Sequence, residues 1–293
     1  MAGLKDIRTR IASVKSTRQI TSAMKMVAAA RLRKSQDRIL KLRPYAEKLT
    51  EILQGLQKNL EGELDNPFMQ NRDPEKVLII LVTSNRGLCG AFNANVIKSA
   101  LVLAHETYPK QLESGNLSFF AIGKKGADFL EHKGYSLEGT DFDLFTQSFE
   151  EISAFADTLM DQYIQKDFDR IELVYNQFKN AAIQNLTTEH FLPVTPAENV
   201  SETPEKHFDY IFEPDQTTLI HDLIPKALKI QLFKVLLDSS AAENGARMTA
   251  MHQATDNATD LIRELTLHYN KARQAAITKE ILDIVGGAEA LKQ

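Results

Sequence analysis

MTAMHQATDNATDLIRELTLHYNKARQAA, residues 248–276, holds nine positions that alternate steps of three and four: Met248, Met251, Thr255, Ala258, Ile262, Leu265, Tyr269, Ala272 and Ala276. An unbroken alternation of that kind is the seam of a coiled coil. Much of this seam is Ala and Thr, so the partner backbone can approach closely and the pair is slim. Upstream, Leu219 to Leu237 is apolar on much of its surface, and Asp215 is placed to cap a helix start. Downstream, Gly286-Gly287 is expected to end the regular helix.

A coiled coil needs a partner, and the other end of the chain offers one. Leu4, Ile7, Ile11 and Val14 step by three, four and three, and the stripe is then read through Ile20, Met24 and Val27. It resumes as Leu42, Tyr45, Leu49, Ile52 and Leu56. Pro44 removes one backbone donor and is expected to kink or loosen the helix there. A helix of some 55 residues is roughly 80 Å long. Helices at opposite ends of one chain pair simply if they run antiparallel. The expected organisation is a helix over 1–60, an α/β domain over 75–214 and a helix over 215–293.

The middle has a different rhythm. After a polar stretch from Gly62 to Pro74, Val77-Leu-Ile-Ile-Leu-Val82 is a continuous apolar run, the mark of a strand buried on both faces. A glycine-containing turn, Thr83 to Gly90, leads to a helix from Asn93 to about His105. A strand at Leu117–Ile122 leads through Gly123-Lys-Lys-Gly126 to another helix. A helix over 149–165 and strands at Ile171–Phe178, Leu186–Leu192 and Phe208–Phe212 complete the pattern. The order implies a Rossmann-like, partly parallel sheet with an antiparallel edge. The expected fold class is therefore α/β, with a long antiparallel two-helix coiled coil added.

Site motifs are weak. Gly87-Leu-Cys-Gly90 follows a buried strand, but Asn85 stands where a dinucleotide fingerprint has its first glycine, so a plain turn is the better reading. Gly123-Lys-Lys-Gly126 lacks Walker A spacing and also reads as a turn. The seven histidines are scattered, no His-Glu-X-X-His occurs, and Cys89 has no local histidine. The reading is no catalytic residue, no cofactor site and no metal site.

Bulk composition agrees with a folded protein: 43% of residues are hydrophobic and 25% charged. One cysteine excludes an internal disulfide and fits a reducing compartment. The start lacks the apolar core of a signal peptide, and no aliphatic run is long enough to span a bilayer. The formal net charge of −4 hides an asymmetry, with +10 in residues 1–48 and −14 in the rest. So concentrated a positive helix calls for an acidic partner surface, and the pattern of a nucleic-acid module is lacking.

Six stretches carry a resemblance. They are Ala2-Gly3-Leu4-Lys5-Asp6-Ile7-Arg8 with Thr21-Ser22-Ala23-Met24-Lys25-Met26-Val27; Ser84-Asn85-Arg86-Gly87-Leu88-Cys89-Gly90-Ala91-Phe92-Asn93; Ala241-Ala242-Glu243-Asn244-Gly245-Ala246-Arg247-Met248 with Ala254-Thr255-Asp256-Asn257; and Tyr269 to Ile281. Together they resemble the γ subunits of F-type ATP synthases along the whole chain, most weakly over about 135–205. Thr249 and His252 depart from the family pattern, and there is no cysteine-bearing insertion of the chloroplast type.

The resemblance implies a non-catalytic central rotor. Its coiled coil would sit within a hexamer of α and β subunits, and its α/β domain would rest on the c-ring beside the ε subunit. Rotation of the ring, driven by protons, would cycle the β subunits for ATP synthesis or, in reverse, hydrolysis. The complex would lie peripherally on the cytoplasmic face of a bacterial inner membrane. By the same pattern, Met24, Lys25 and Arg247 match contacts near the β-subunit lever. Arg273, Gln274 and Thr278 match contacts with a β-subunit catch loop, and Tyr210 and Glu213 match the foot near the c-ring and ε. Two other readings compete from the residues alone: a coiled-coil adaptor docking on an acidic membrane, and a Rossmann-type enzyme with helical extensions.

Overall fold

A computed structural model of the chain describes residues 3–58, 66–70, 72–145, 148–194 and 216–290. The expected strand Phe208–Phe212, the cap Asp215 and the foot residues Tyr210 and Glu213 lie outside the described residues. The elements run α1 (Leu4–Lys58), β1 (Val77–Val82), α2 (Phe92–Glu106), α3 (Pro109–Ser114), β2 (Leu117–Ile122), α4 (Lys124–Lys133), β3 (Leu137–Asp141), α5 (Phe149–Ile164), β4 (Arg170–Phe178), β5 (Gln184–Leu192) and α6 (Gln216–Ala290). They form two compact units, one of residues 1–28 with 248–293 and one of residues 29–247.

The larger unit is built on a five-stranded sheet of order β3-β2-β1-β4-β5. β1 pairs parallel with β2 and β4, β2 pairs parallel with β3, and β5 closes the edge antiparallel to β4. This is the partly parallel, Rossmann-like sheet read from the sequence. Alternation along β1 explains why its apolar run is continuous. Leu78, Ile80 and Val82 join a core with residues of α1, α5 and α6, while Val77, Ile79 and Leu81 join one with residues of α2 and α4. Both faces are covered, so neither can be polar.

Local rules set the element ends. α5 starts in a capping box: Ser148 accepts from the Glu151 backbone, and the Glu151 side chain accepts from the Ser148 backbone. Two elements escaped the sequence reading. β3 (LEGTD) is a polar edge strand with a half-exposed pattern, and α3 is six residues long. Neither has an apolar period to betray it. Part of the polar stretch after α1 is anchored: Phe68 is buried, and the Val194 N–H donates to its carbonyl at 2.8 Å.

One expectation about the long helices, the end at Gly286-Gly287, needs correction. α1 runs unbroken through Pro44, whose missing N–H falls on the exposed side of the helix. α6 continues through Gly286 and Gly287 to Ala290, because neither glycine takes the positive φ that a helix-ending cap requires.

The smaller unit pairs the start of α1 with the end of α6. Thr21 Oγ1 meets Thr255 Oγ1 at 2.8 Å, and Lys25 Nζ meets His252 Nδ1 at 3.3 Å. One number rises as the other falls, so the helices are antiparallel. All nine positions of the C-terminal seam are buried or half-buried. On α1 the seam keeps its phase through Leu4, Ile7, Ile11, Val14, Arg18, Thr21, Lys25 and Ala28. It does not drift to Ile20 and Val27, which are 60% and 53% exposed. Thr21 against Thr255 is a small pair, and Ala28, 2% exposed, keeps the seam slim further along α1.

Candidate functional site

The first question is whether the sheet holds a nucleotide. In an open α/β sheet the ligand lies beyond the C-terminal ends of the parallel strands, against helix N-termini. At α4 those N–H groups are already used. Lys124 donates to Asn85 Oδ1 at 3.0 Å, Lys125 to the Ser84 carbonyl at 3.1 Å, and Gly126 to Thr83 Oγ1 at 2.8 Å. A Cβ on Gly123 would stand 2.0 Å from the Thr83 carbonyl oxygen, so this glycine serves a close backbone approach. At the β1–α2 turn, the Ser84 N–H donates to Asn93 Oδ1, Ser84 Oγ donates to the Arg86 carbonyl, and Cys89 is buried beneath. The two turns are thus bonded to each other through residues 83–85 and 124–126. Among the described residues no group of three His, Cys, Asp or Glu is placed to hold a metal ion.

Three polar clusters tie the larger unit together. Tyr108 Oη donates to Glu172, and His190 Nδ1 lies 2.7 Å from the same carboxylate. Burial pushes the Tyr108 phenol well above its usual range, with Glu172 adding to the shift. The bond to Glu172 raises His190 against an opposing desolvation effect. Second, Tyr175 Oη donates to Glu189 at 2.6 Å, and Gln231 Nε2 donates to the other Glu189 oxygen at 3.3 Å. Beside them Asp238 is fully buried, 3.7 Å from Arg43, and burial raises its carboxyl pKa although Arg43 opposes the rise. The third cluster is Arg247. It pairs with Glu243 through Nη1, and its Nη2 donates to the carbonyls of Arg86 at 2.9 Å and Gly87 at 3.3 Å.

The residues singled out from the sequence divide between the units. Met24, Lys25, Arg273, Gln274 and Thr278 belong to the helical pair, and Arg247 belongs to the sheet unit. Arg273, Gln274 and Thr278 are exposed, Met24 is half-buried, and Lys25 meets His252. The Arg247 side chain is only 11% exposed and faces the β1–α2 turn. Exposed apolar residues form a further set that sequence reasoning missed: Ile20, Met26 and Val27 on α1, Leu88 in the turn, and Ile277, Ile281, Leu282, Ile284 and Val285 on α6. Extending the heptad from Leu4 in strict phase puts Ile20 and Val27 outside the seam, and that was the available signal.

The helical unit thus has small residues such as Thr21, Ala28, Thr255 and Ala258 among the larger ones of its seam and carries several large apolar side chains outside, while the N–H groups at the start of α4 are spent on the neighbouring turn. The family model described as ATP synthase matches residues 3–291. The ATP synthase gamma chain of Flavobacterium johnsoniae is 55% identical over 293 residues, covering 99% of both chains. That of Cytophaga hutchinsonii is 49% identical with the same coverage. Among solved structures, a chain of the Tetrahymena thermophila mitochondrial ATP synthase central stalk and c-ring aligns with TM-score 0.58 and 25% identity, covering 80% of this chain and 99% of its own. A chain from the Euglena gracilis mitochondrial ATP synthase aligns with TM-score 0.69 over 98% of this chain and 94% of its own; its 22% identity speaks to fold alone. The chain belongs to the ATP synthase family, among its gamma chains.

Proposed function

We propose that the chain is the central rotor stalk of a proton-translocating F-type ATP synthase. It turns with the membrane c-ring and drives the catalytic β subunits through their nucleotide-binding states. ATP is made in one direction of rotation and hydrolysed in the other. The observation that carries this reading is the helical unit, with small Ala and Thr residues recurring in its seam and further large apolar and cationic side chains outside. Such a pair stays thin enough for the bore of a ring and offers that ring a textured, positively charged face. The α and β subunits are its partners there, and ε and the c-ring are the partners of the α/β unit. The helices over 1–60 and 215–293 and the domain over 75–214 serve as its working parts.

Met24, Lys25, Arg247, Arg273, Gln274 and Thr278 are the proposed contact set toward β, with Tyr210 and Glu213 at the foot. No nucleic acid, cofactor or small-molecule substrate is assigned to the chain. The location fitting the bacterial relatives is peripheral, on the cytoplasmic face of the inner membrane. No helix among the described residues is long and apolar enough to cross a membrane, which accords with a peripheral attachment.

The test is ATPase turnover of a cognate α/β ring lacking this chain, with the chain titrated in. Turnover that changes and saturates at one copy per three β subunits supports the rotor. No binding and no change, with both parts folded, refutes it and favours an adaptor docking through its basic helix.

A further inference from the structure

Arg247 is assigned above to a contact with β, yet its guanidinium is turned inward. One edge pairs with Glu243 one turn earlier on α6, and both side chains are largely shielded, 11% and 17% exposed. The other edge donates to two successive carbonyls, those of Arg86 and Gly87. These lie in the turn between β1 and α2, so the bonds join positions 160 and 161 residues apart in sequence. The next residue, Leu88, has φ +64 and is 66% exposed. A leucine holds a left-handed conformation only where its surroundings determine it, because the cost is about 1–3 kcal/mol. Cys89, buried behind it, anchors the far side of the turn, and Arg247 anchors the near side. Arg247 is also the last residue of the compact unit of 29–247.

We propose that Arg247 is a positioning residue that fixes the β1–α2 turn, with Leu88 at its tip, to α6 at the point where the helix leaves this compact unit. The geometry calls for a fork. The carboxylate and the two carbonyls are met by different Nη atoms of one planar group, whereas an ammonium places all three of its donors on a single nitrogen. Glu243 aims the fork. Helix and turn then move as one body, and force carried along α6 reaches the sheet through its β1 end. The functional part of this inference rests on the rotor reading above; the structural part does not.

The test uses the full chain carrying a nitroxide at Leu88→Cys in a Cys89→Ala background, with Lys133→Cys, an exposed position at the end of α4, as the reference site. Arg247→Met and Arg247→Lys are compared with the native arginine. Losing one charge-assisted hydrogen bond to a carbonyl raises the population of the detached turn about tenfold. The expected result is a mobile component at position 88 that grows about tenfold in both variants, with an unchanged spectrum at 133. In the assembled complex, protons pumped per ATP hydrolysed fall in both variants. An unchanged spectrum at 88 in Arg247→Met overturns the proposal. So does full restoration of spectrum and pumping by Arg247→Lys, because a point charge would then suffice. If Arg247→Met also loosens position 133, the protein is unfolding and Arg247→Lys decides. A chain that leaves the ATPase of the ring unaffected refutes the rotor, while the spectra still judge the anchor.

Discussion

Gly123→Ala tests whether the two turns at the end of the sheet are held together as tightly as their hydrogen bonds indicate. Gly123 has φ +100, and a Cβ there would lie 2.0 Å from the Thr83 oxygen, 2.6 Å from its carbon and 3.1 Å from its Oγ1. Real Cβ contacts stay beyond 3.0 Å, so the backbone has to open by about 1 Å. The obstacle is the backbone of Thr83, fully buried directly after the buried strand β1, and it cannot swing aside as a flexible side chain would. Opening the gap also strains the Gly126–Thr83 bond. The backbone conformation costs an L-residue about 1–3 kcal/mol and the overlap adds a similar amount, so the loss is on the order of 4 kcal/mol. For a chain of this size that lowers Tm by about 10 °C. Gly134→Ala is the control: φ is +76, but nothing lies within 4 Å of the added carbon. It carries the conformational cost alone, about 1–2 kcal/mol and a few degrees. Thermal unfolding of the two variants side by side, followed by circular dichroism, measures the difference. If Gly123→Ala is no worse than Gly134→Ala, the close packing of the two turns is wrong.

Other predictions concern the polar clusters and the seam. His190 has a folded pKa raised by Glu172. The bond's contribution is therefore complete below the unfolded pKa and fades as pH rises through the folded one. His190→Gln should lower Tm more near about pH 6 than near about pH 9, and an equal loss at both refutes the pairing. Asp238 has a raised folded pKa, so its ionised form opposes folding and Arg43 offsets that cost. Arg43→Met should destabilise by ~2 kcal/mol at neutral pH, less than a fully buried pair would lose because Arg43 is 42% exposed, and acidification should recover part of it. A loss independent of pH in urea titrations at two pH values would assign the effect to packing. Ala258, 8% exposed in the seam, leaves no room for a larger residue, so Ala258→Leu should loosen the helical unit by about 1–3 kcal/mol. Faster amide exchange around Thr255 and Thr21 is the expected readout, and unchanged exchange refutes the close approach.

The parts legible in the sequence were those in which a period is imposed by burial. β1 is readable because both its faces are covered, and the C-terminal seam is readable because every third or fourth residue meets another helix. β3 was illegible because an edge strand with one solvated face tolerates Glu138, Gly139 and Thr140. Ile20 and Val27 misled because an outward apolar residue looks the same in a sequence as an inward one. The partners of Arg247 were hidden for another reason. Backbone carbonyls 160 residues away leave no mark in composition or spacing. Family resemblance marked Arg247, and only the folded chain shows that its fork is spent on its own turn.

The outward apolar residues and the small seam are two sides of one constraint. Burying a large aliphatic side chain contributes about 1.5–3 kcal/mol, while an alanine has little area to bury. The helical unit buries Ala28 to 2%, Met251 to 4% and Ala258 to 8% while leaving Met26 65% and Ile284 70% exposed. Placing those larger side chains inside would stabilise the pair on its own and thicken it. The larger unit makes the opposite choice, filling its core with residues such as Phe119, Tyr163, Tyr175 and Phe191. A helix pair that leaves this much apolar surface outside its seam makes physical sense when surrounding subunits cover the exposed side chains. In a rotor, those covering surfaces change with every step. Outward contacts that are large but loosely held suit such exchange, and the small seam lets the two helices keep their register while it happens.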